Sequence, residues 1–215
     1  MRWVGLLFMA GSSLFALGVL LSLPSALPPL LSAATYATGA VFFTAAAFFQ
    51  LVLAQRELPE SERRWLPLRG RTSDWLAAAV QLVGTALFNI NTMDAALTIG
   101  AARWVVDTEV WVPDIVGSLA FLVSSAIAVV PEVRARRHSH AADASQRIAV
   151  LNLTGSVLFG ISAVSALVLR SGTDVSVFWA NTGTFFGAVC FLVAAWLFGW
   201  ARSERTARQG QTAQP

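Results

Sequence analysis

A five-residue pattern, Gly-(Ser/Thr/Ala)-x-x-Phe, occurs once in each of six apolar segments and constrains the fold more than any other feature of the chain. Its glycines are Gly11, Gly39, Gly84, Gly117, Gly155 and Gly187, and its phenylalanines are Phe15, Phe43, Phe88, Phe121, Phe159 and Phe191. Residues four apart lie on one face of a helix, so each segment would present a small notch beside a ring. Small residues let helix backbones approach closely in a membrane, and we therefore predict that the six glycines are helix-packing positions.

The pattern extends one turn towards the N-terminus of each segment. The residue three positions before the glycine is polar or aromatic in every copy: Phe8, Tyr36, Gln81, Asp114, Asn152 and Thr184. This spacing indicates a longer stripe on one helix face.

The composition places the chain among membrane proteins. Hydrophobic residues make up 56% of it and charged residues only 13%, with a mean hydropathy of +0.63, which does not suit a soluble surface. The fold class that we predict is all-α: a polytopic membrane protein whose six transmembrane helices form three helical hairpins that repeat the pattern.

Apolar runs of about 20 residues, the length that a spanning helix needs, set the boundaries of the hairpins. The first hairpin is expected over residues 1–54 (spans 3–21 and 30–54), the second over 75–130 (spans 75–97 and 112–130) and the third over 148–200 (spans 148–169 and 177–200). Polar loops are expected at 55–74 and 131–147, with a polar tail at 201–215. Pro131 is expected to end the fourth span, because proline removes a backbone donor.

The first apolar run is expected to be a retained span rather than a cleaved signal peptide. It covers about residues 3–21 and carries Gly11 and Phe15 of the pattern. A signal-peptide core is usually shorter, at ~7–15 residues.

The arginines predict the orientation. All fifteen basic residues are arginine, and thirteen of them fall in the segments that share a side with the N-terminus, leaving Arg103 and Arg170 on the other side. The positive-inside rule then predicts that both termini are cytoplasmic.

Several polar residues fall in the outer half of the predicted bundle. They are Asn89, Asn91, Asp94, Asp114 and Asn181. A carboxylate within a span is costly, so these residues form a candidate ligand or ion site. The alternative is that they are solvated at the interface or form hydrogen bonds between helices.

Motifs of catalysis are missing from the sequence. It contains no nucleophile elbow, phosphate loop, paired metal-ligand helix or dinucleotide fingerprint. His138 and His140 lie in a charged loop without further ligands at metal-binding spacing. We predict that the protein is not an enzyme and has no catalytic residue, cofactor or metal.

The paired Gly-(Ser/Thr)-x-x-Phe helices resemble the YrhK-like domain, a small bacterial membrane module of two hydrophobic helices. The clearest stretches are 84–88, 117–121 and 155–159, and the similarity would cover about 75–200, with the first hairpin a weaker copy. That family has no assigned reaction. The resemblance implies a membrane fold in a bacterial plasma (inner) membrane and carries over no catalytic residue.

The sequence therefore predicts a non-enzymatic structural or interaction component of the membrane. The alternative is a small-solute or ion transporter or channel that uses the outer polar cluster. The expected partners are the lipid bilayer, anionic headgroups at the cytoplasmic arginines, and a second copy of the chain or another membrane protein. A net charge of +3 is too small to indicate nucleic-acid binding.

Overall fold

The computed structural model describes residues 2–23, 26–56, 72–136, 144–169 and 174–212. Six long helices account for most of them: α1 Arg2–Ser22, α2 Pro29–Arg56, α3 Ser73–Leu97, α4 Val112–Arg136, α5 Ala144–Ser165 and α6 Val177–Thr212. All six are long and apolar enough to cross a membrane. No β-strand occurs in these ranges, which contain only an isolated bridge between Val168 and Asp174. The predicted all-α, six-span class is confirmed.

Local sequence accounts for several helix starts. Pro29 opens α2, at a position where its missing N–H costs nothing. The Thr72 hydroxyl caps α3 by accepting a hydrogen bond from the backbone N–H of Trp75 at 3.2 Å. A helical turn, Arg103–Val105, and a π-helical segment, Val106–Trp111, lead directly into α4.

Some predicted boundaries differ from those observed. The expectation that Pro131 ends the fourth span is wrong, because α4 continues through it to Arg136. One proline removes a single backbone hydrogen bond, a loss that membrane helices tolerate. The last helix runs through much of the predicted tail and ends at Thr212. The predicted loops largely lie outside the described residues, at 57–71 and at 137–143, which includes His138 and His140.

The six helices form a closed ring in chain order. Each packs against its neighbours in sequence, and α1 packs against α6. We call the face with the start of α1 and the end of α6 the terminal face, and the opposite one the distal face. Large apolar side chains such as Leu6, Val83 and Val164 point outward and are exposed. This arrangement suits a ring surrounded by lipid.

The pattern glycines meet in pairs inside each hairpin. A Cβ atom added to Gly11 would lie 3.0 Å from the Gly39 carbonyl oxygen. The corresponding distance is 3.1 Å from Gly84 to the Gly117 oxygen, and 3.1 Å from Gly155 to the Gly187 oxygen. The backbones of each hairpin therefore approach too closely for an added methyl group to fit without movement.

The residue after each glycine is buried in the ring. These six residues, at most 1% exposed, are Ser12, Ala40, Thr85, Ser118, Ser156 and Ala188. The Ser156 hydroxyl contacts the preceding hairpin, where it lies 3.2 Å from the Phe121 carbonyl oxygen and 2.8 Å from the Ser125 hydroxyl. At this position the pattern joins one hairpin to another.

Candidate functional site

The six pattern phenylalanines fill the centre of the ring of helices, and we call their side chains the phenylalanine plug. The distal layer contains Phe15, Phe88 and Phe159, with centroid distances of 5.8–6.2 Å. The terminal layer contains Phe43, Phe121 and Phe191, at 5.6–6.3 Å. Rings of the same hairpin join the layers at 5.2–5.6 Å. Every ring is at most 5% exposed.

Helix direction explains the two layers. The odd-numbered helices run towards the distal face, so a phenylalanine four residues after the glycine lies on the distal side of it. The even-numbered helices run the other way and place their rings on the terminal side. The same spacing thus produces a plug two rings deep.

A cavity of about 270 Å³ lies on the distal side of the plug. Its carboxylates are Asp114 and Asp174. Amides and hydroxyls also line it, among them Asn91, Asn181, Tyr36 and Thr184. The rings of the distal layer form its floor, and no basic residue lines it in the part of the chain that the structure describes. The cavity is therefore polar and acidic on its walls and apolar at its base.

A second cavity, of about 250 Å³, lies on the terminal side of the plug. It is also acidic: Asp74 and Glu132 line it, and no basic side chain among the described residues does so. Gln81 and Asn152 add amide groups. The Glu132 carboxylate accepts a hydrogen bond from the Ser145 hydroxyl at 3.0 Å, which holds this carboxylate beside α5.

The residues three positions before the pattern glycines line both cavities, three side chains in each. Phe8, Gln81 and Asn152 line the terminal cavity, whereas Tyr36, Asp114 and Thr184 line the distal one. The two sets come from odd- and even-numbered helices, respectively. The stripe seen in the sequence thus reaches both cavities.

The distal cavity brings together three of the five predicted site residues, Asn91, Asp114 and Asn181. Asn89 and Asp94 are not among its lining residues. The Asn89 amide instead donates to the Ala40 carbonyl oxygen at 3.2 Å and to the Thr44 hydroxyl, so it joins α3 to α2. This is the interhelical bonding that the sequence analysis left open as an alternative.

Asp94 is the other predicted site residue that does not line the distal cavity, and it lies near the end of α3. Its backbone carbonyl accepts hydrogen bonds from the Thr98 N–H at 2.8 Å and from the Thr98 hydroxyl at 2.7 Å. These bonds close the last turn of the helix.

Hydrogen bonds to neighbouring helices hold the π-helical segment that precedes Asp114. The Asn91 amide donates to the Val110 carbonyl oxygen at 2.9 Å, and the Trp111 indole N–H donates to the Ala163 carbonyl oxygen at 2.8 Å. The segment is therefore tied to both α3 and α5. π-Helical turns frequently occur at functional sites, and here the turn directly precedes the helix that carries Asp114.

Asp174 enters the cavity from the connection between α5 and α6. Its backbone pairs with Val168, and the next residue, Val175, donates to the Leu167 carbonyl oxygen at 2.9 Å. Burial raises the pKa of Asp174. No motif or helical spacing in the sequence points to Asp174, because only the pairing of its connection with Val168 brings it to the cavity.

The cavity contains other groups that the sequence analysis did not place in the site. The Ser162 hydroxyl lies 2.6 Å from the Thr184 hydroxyl and donates to the Ala180 carbonyl oxygen at 2.7 Å. Thr184 is three residues before Gly187, as Asp114 is before Gly117 and Tyr36 is before Gly39. That spacing could have placed Thr184 beside Asp114.

Metal coordination is not indicated in the described ranges, where no group of three or more His, Cys, Asp or Glu residues is placed to hold an ion.

Comparisons of the chain with family models, curated proteins and solved structures find no match. The arrangement defines an all-α protein with six potential membrane spans, two acidic cavities and an aromatic core between them.

Proposed function

We propose that the protein conducts a small cationic solute across a bacterial plasma membrane. The observation that carries this proposal is the pair of acidic cavities on opposite sides of one plug within a closed ring of helices. A path between the cavities would follow the axis of the ring. The plug blocks that path in the conformation described here.

The charges favour a cation. Among the residues that the structure describes, two carboxylates and no arginine or histidine line each cavity. An ionisable side chain within a membrane span is costly and usually functional, and Asp114 belongs to such a span. A positive solute would compensate the carboxylate, whereas an anion would be repelled.

The arginine distribution supports an orientation of the protein in the membrane. By the positive-inside rule it favours a cytoplasmic terminal face, so the distal cavity would open to the outside. Arg56 and Arg134, exposed at the terminal ends of α2 and α4, would lie near anionic headgroups. The lipid bilayer is then the main partner.

The plug provides a gate. Hydrophobic constrictions can close channels by excluding water, and six rings at most 5% exposed form such a constriction. Conduction would require the hairpins to separate or rotate. Separation would break ring contacts between hairpins, such as Phe15–Phe88 and Phe43–Phe121, together with polar contacts such as the one from Ser156 to the Phe121 carbonyl oxygen.

A structural, non-enzymatic role is the second candidate. It is favoured by the same plug, because a fully buried aromatic core also stabilises a bundle that conducts nothing. The YrhK-like resemblance agrees equally with both roles, since that family has no assigned reaction. The two candidates differ in whether the cavity carboxylates affect solute flux.

Flux measurements on proteoliposomes test the proposal, with K⁺ and methylammonium as cationic probes and chloride as the anionic one. We expect both cations to cross faster than chloride, and Asp114→Asn to reduce cation flux at least tenfold. Asp94→Asn is the matched control, because Asp94 does not line the cavity. Its flux should equal that of the unchanged protein.

A second variant tests conduction in case the plug stays closed in vesicles. Phe43→Ala removes one ring of the terminal layer and should raise cation flux above that of the unchanged protein. If neither protein exceeds protein-free vesicles, although both are folded, the conduction proposal is overturned and the structural role stands. Equal flux in the Asp114→Asn protein would also overturn it.

A further inference from the structure

We propose that the distal cavity binds a small organic ammonium ion rather than a bare metal ion. This inference rests on the proposed function and names the class of its solute. It is carried by one juxtaposition: carboxylates on the wall of a cavity whose floor consists of aromatic rings.

The size of the cavity excludes a close fit around a bare ion. Its volume of about 270 Å³ is many times the ~30 Å³ that one water occupies in the liquid. A metal ion in such a space would keep most of its water. An ammonium group that carries carbon substituents would fill the space and displace that water.

The floor supplies apolar contact for those substituents. Phe15, Phe88 and Phe159 lie together there, and Tyr36 adds a fourth aromatic ring to the lining. Aromatic rings attract ammonium groups, and several rings together are a known means of recognising alkylated ammonium ions. A metal ion would gain little from this floor, since hard cations prefer a full shell of oxygen ligands.

The wall supplies the counter-charge. Asp114 lies on the distal side of the plug, seven residues and about two helical turns before Phe121 of the terminal layer. It lines the same cavity as the distal-layer rings Phe15, Phe88 and Phe159, so an ammonium group beside this carboxylate would share the cavity with the aromatic floor. Asp174 contributes a second carboxylate from the α5–α6 connection.

The amides can orient the solute. The Asn91 NH₂ group donates to the Val110 carbonyl oxygen, which leaves its carbonyl oxygen as an acceptor in the cavity wall. The Asn181 side chain also lines the cavity. Acceptors of this kind suit the N–H groups of an ammonium ion or the hydroxyl of a substituent.

Calorimetric titration of the purified full-length protein in detergent tests the inference. The probes are choline, its uncharged carbon analogue 3,3-dimethyl-1-butanol, Na⁺ and Ca²⁺. We expect saturable binding of choline, with the uncharged analogue and Na⁺ at least tenfold weaker. Asp114→Asn should weaken choline binding at least tenfold, and Asp174→Asn provides a second variant outside the membrane helices.

Asp94 supplies the matched control, because it lines neither cavity. Asp94→Asn should leave choline affinity unchanged, and Glu132→Gln, which removes a carboxylate from the terminal cavity, tests where the site lies. If choline binding is lost in Glu132→Gln and kept in Asp114→Asn, the site is wrongly placed. If Ca²⁺ or Na⁺ binds more tightly than choline, or the uncharged analogue binds equally well, the organic-ammonium inference is overturned.

The two proposals can fail separately. Choline binding that depends on Asp114, without flux of any cation, would support the ligand class and overturn conduction. Flux of K⁺ without choline binding would support conduction and overturn the ligand class.

Discussion

The Phe15 and Phe43 rings meet edge to face, with centroids 5.4 Å apart and an interplanar angle of 87°. Each ring also covers the glycine of the other helix: a Cβ atom on Gly39 would lie 2.8 Å from the Phe15 ring, and one on Gly11 would lie 2.8 Å from the Phe43 ring. A ring and a glycine on each helix thus form one reciprocal contact. The Gly-x-x-x-Phe spacing is what makes this contact possible.

Replacing Phe43 by leucine should destabilise the protein by about 1–3 kcal/mol, since the ring is 4% exposed and contacts rings from three other helices. Thermal unfolding in detergent measures the change. Phe48→Leu on the same helix is the control, because Phe48 is 46% exposed. An equal effect of both substitutions would contradict a central role for the plug.

Gly183→Ala should reduce stability by about 1–3 kcal/mol through overpacking. An added Cβ atom would lie 2.6 Å from the Leu158 carbonyl oxygen and 2.9 Å from the Ser162 backbone nitrogen, and a backbone cannot easily move away. Gly160→Ala on α5 meets nothing within 4 Å, so it should be neutral or slightly stabilising because alanine favours helix. Comparable melting temperatures of the two variants would show that α5 and α6 are less tightly packed.

Ser156→Ala should cost about 0.6–1.7 kcal/mol, the range for hydrogen bonds between membrane helices. Its hydroxyl bridges α5 to α4 through the Phe121 carbonyl oxygen and Ser125. Ser12 has the same place in the pattern and is fully buried, yet its hydroxyl has no hydrogen-bond partner in the described part of the chain. Ser12→Ala should therefore be neutral or stabilising in the same unfolding assay, and a loss equal to that of Ser156→Ala would refute this difference.

Asn91→Ala should loosen the π-helical segment, because it removes the donor to the Val110 carbonyl oxygen. Hydrogen exchange followed by mass spectrometry should show faster exchange in peptides that cover Val106–Trp111. Asn89→Ala serves as the comparison, since Asn89 bonds to α2 instead. Exchange in this segment that accelerates equally in both variants would indicate general destabilisation of α3.

The orientation can be checked with single cysteines in a Cys190→Ala background. Ser73→Cys lies at the exposed terminal-face start of α3, and Ile99→Cys lies on the distal side and is 49% exposed in the native chain. With cytoplasmic termini, a membrane-impermeant maleimide added to intact cells should label Ile99→Cys and spare Ser73→Cys. The reverse labelling would place the termini outside.

The sequence by itself determined the class of fold and the contacts that depend on spacing along one helix. Apolar runs of spanning length predict six helices, and the glycine and phenylalanine of each copy must share a face because they are four residues apart. The stripe three residues before each glycine follows from the same periodicity. Local geometry of this kind needs no knowledge of the neighbouring helices.

Only the tertiary structure decided which of these faces meet. Ring closure between α1 and α6 brings the six phenylalanines together, and no sequence period encodes that closure. The distal cavity selects Asn91, Asp114 and Asn181 but leaves Asn89 at the α2–α3 contact, because residues two apart on a helix point in different directions. Asp174 joins them through the pairing of a connection, a contact between segments that periodicity within a helix cannot predict.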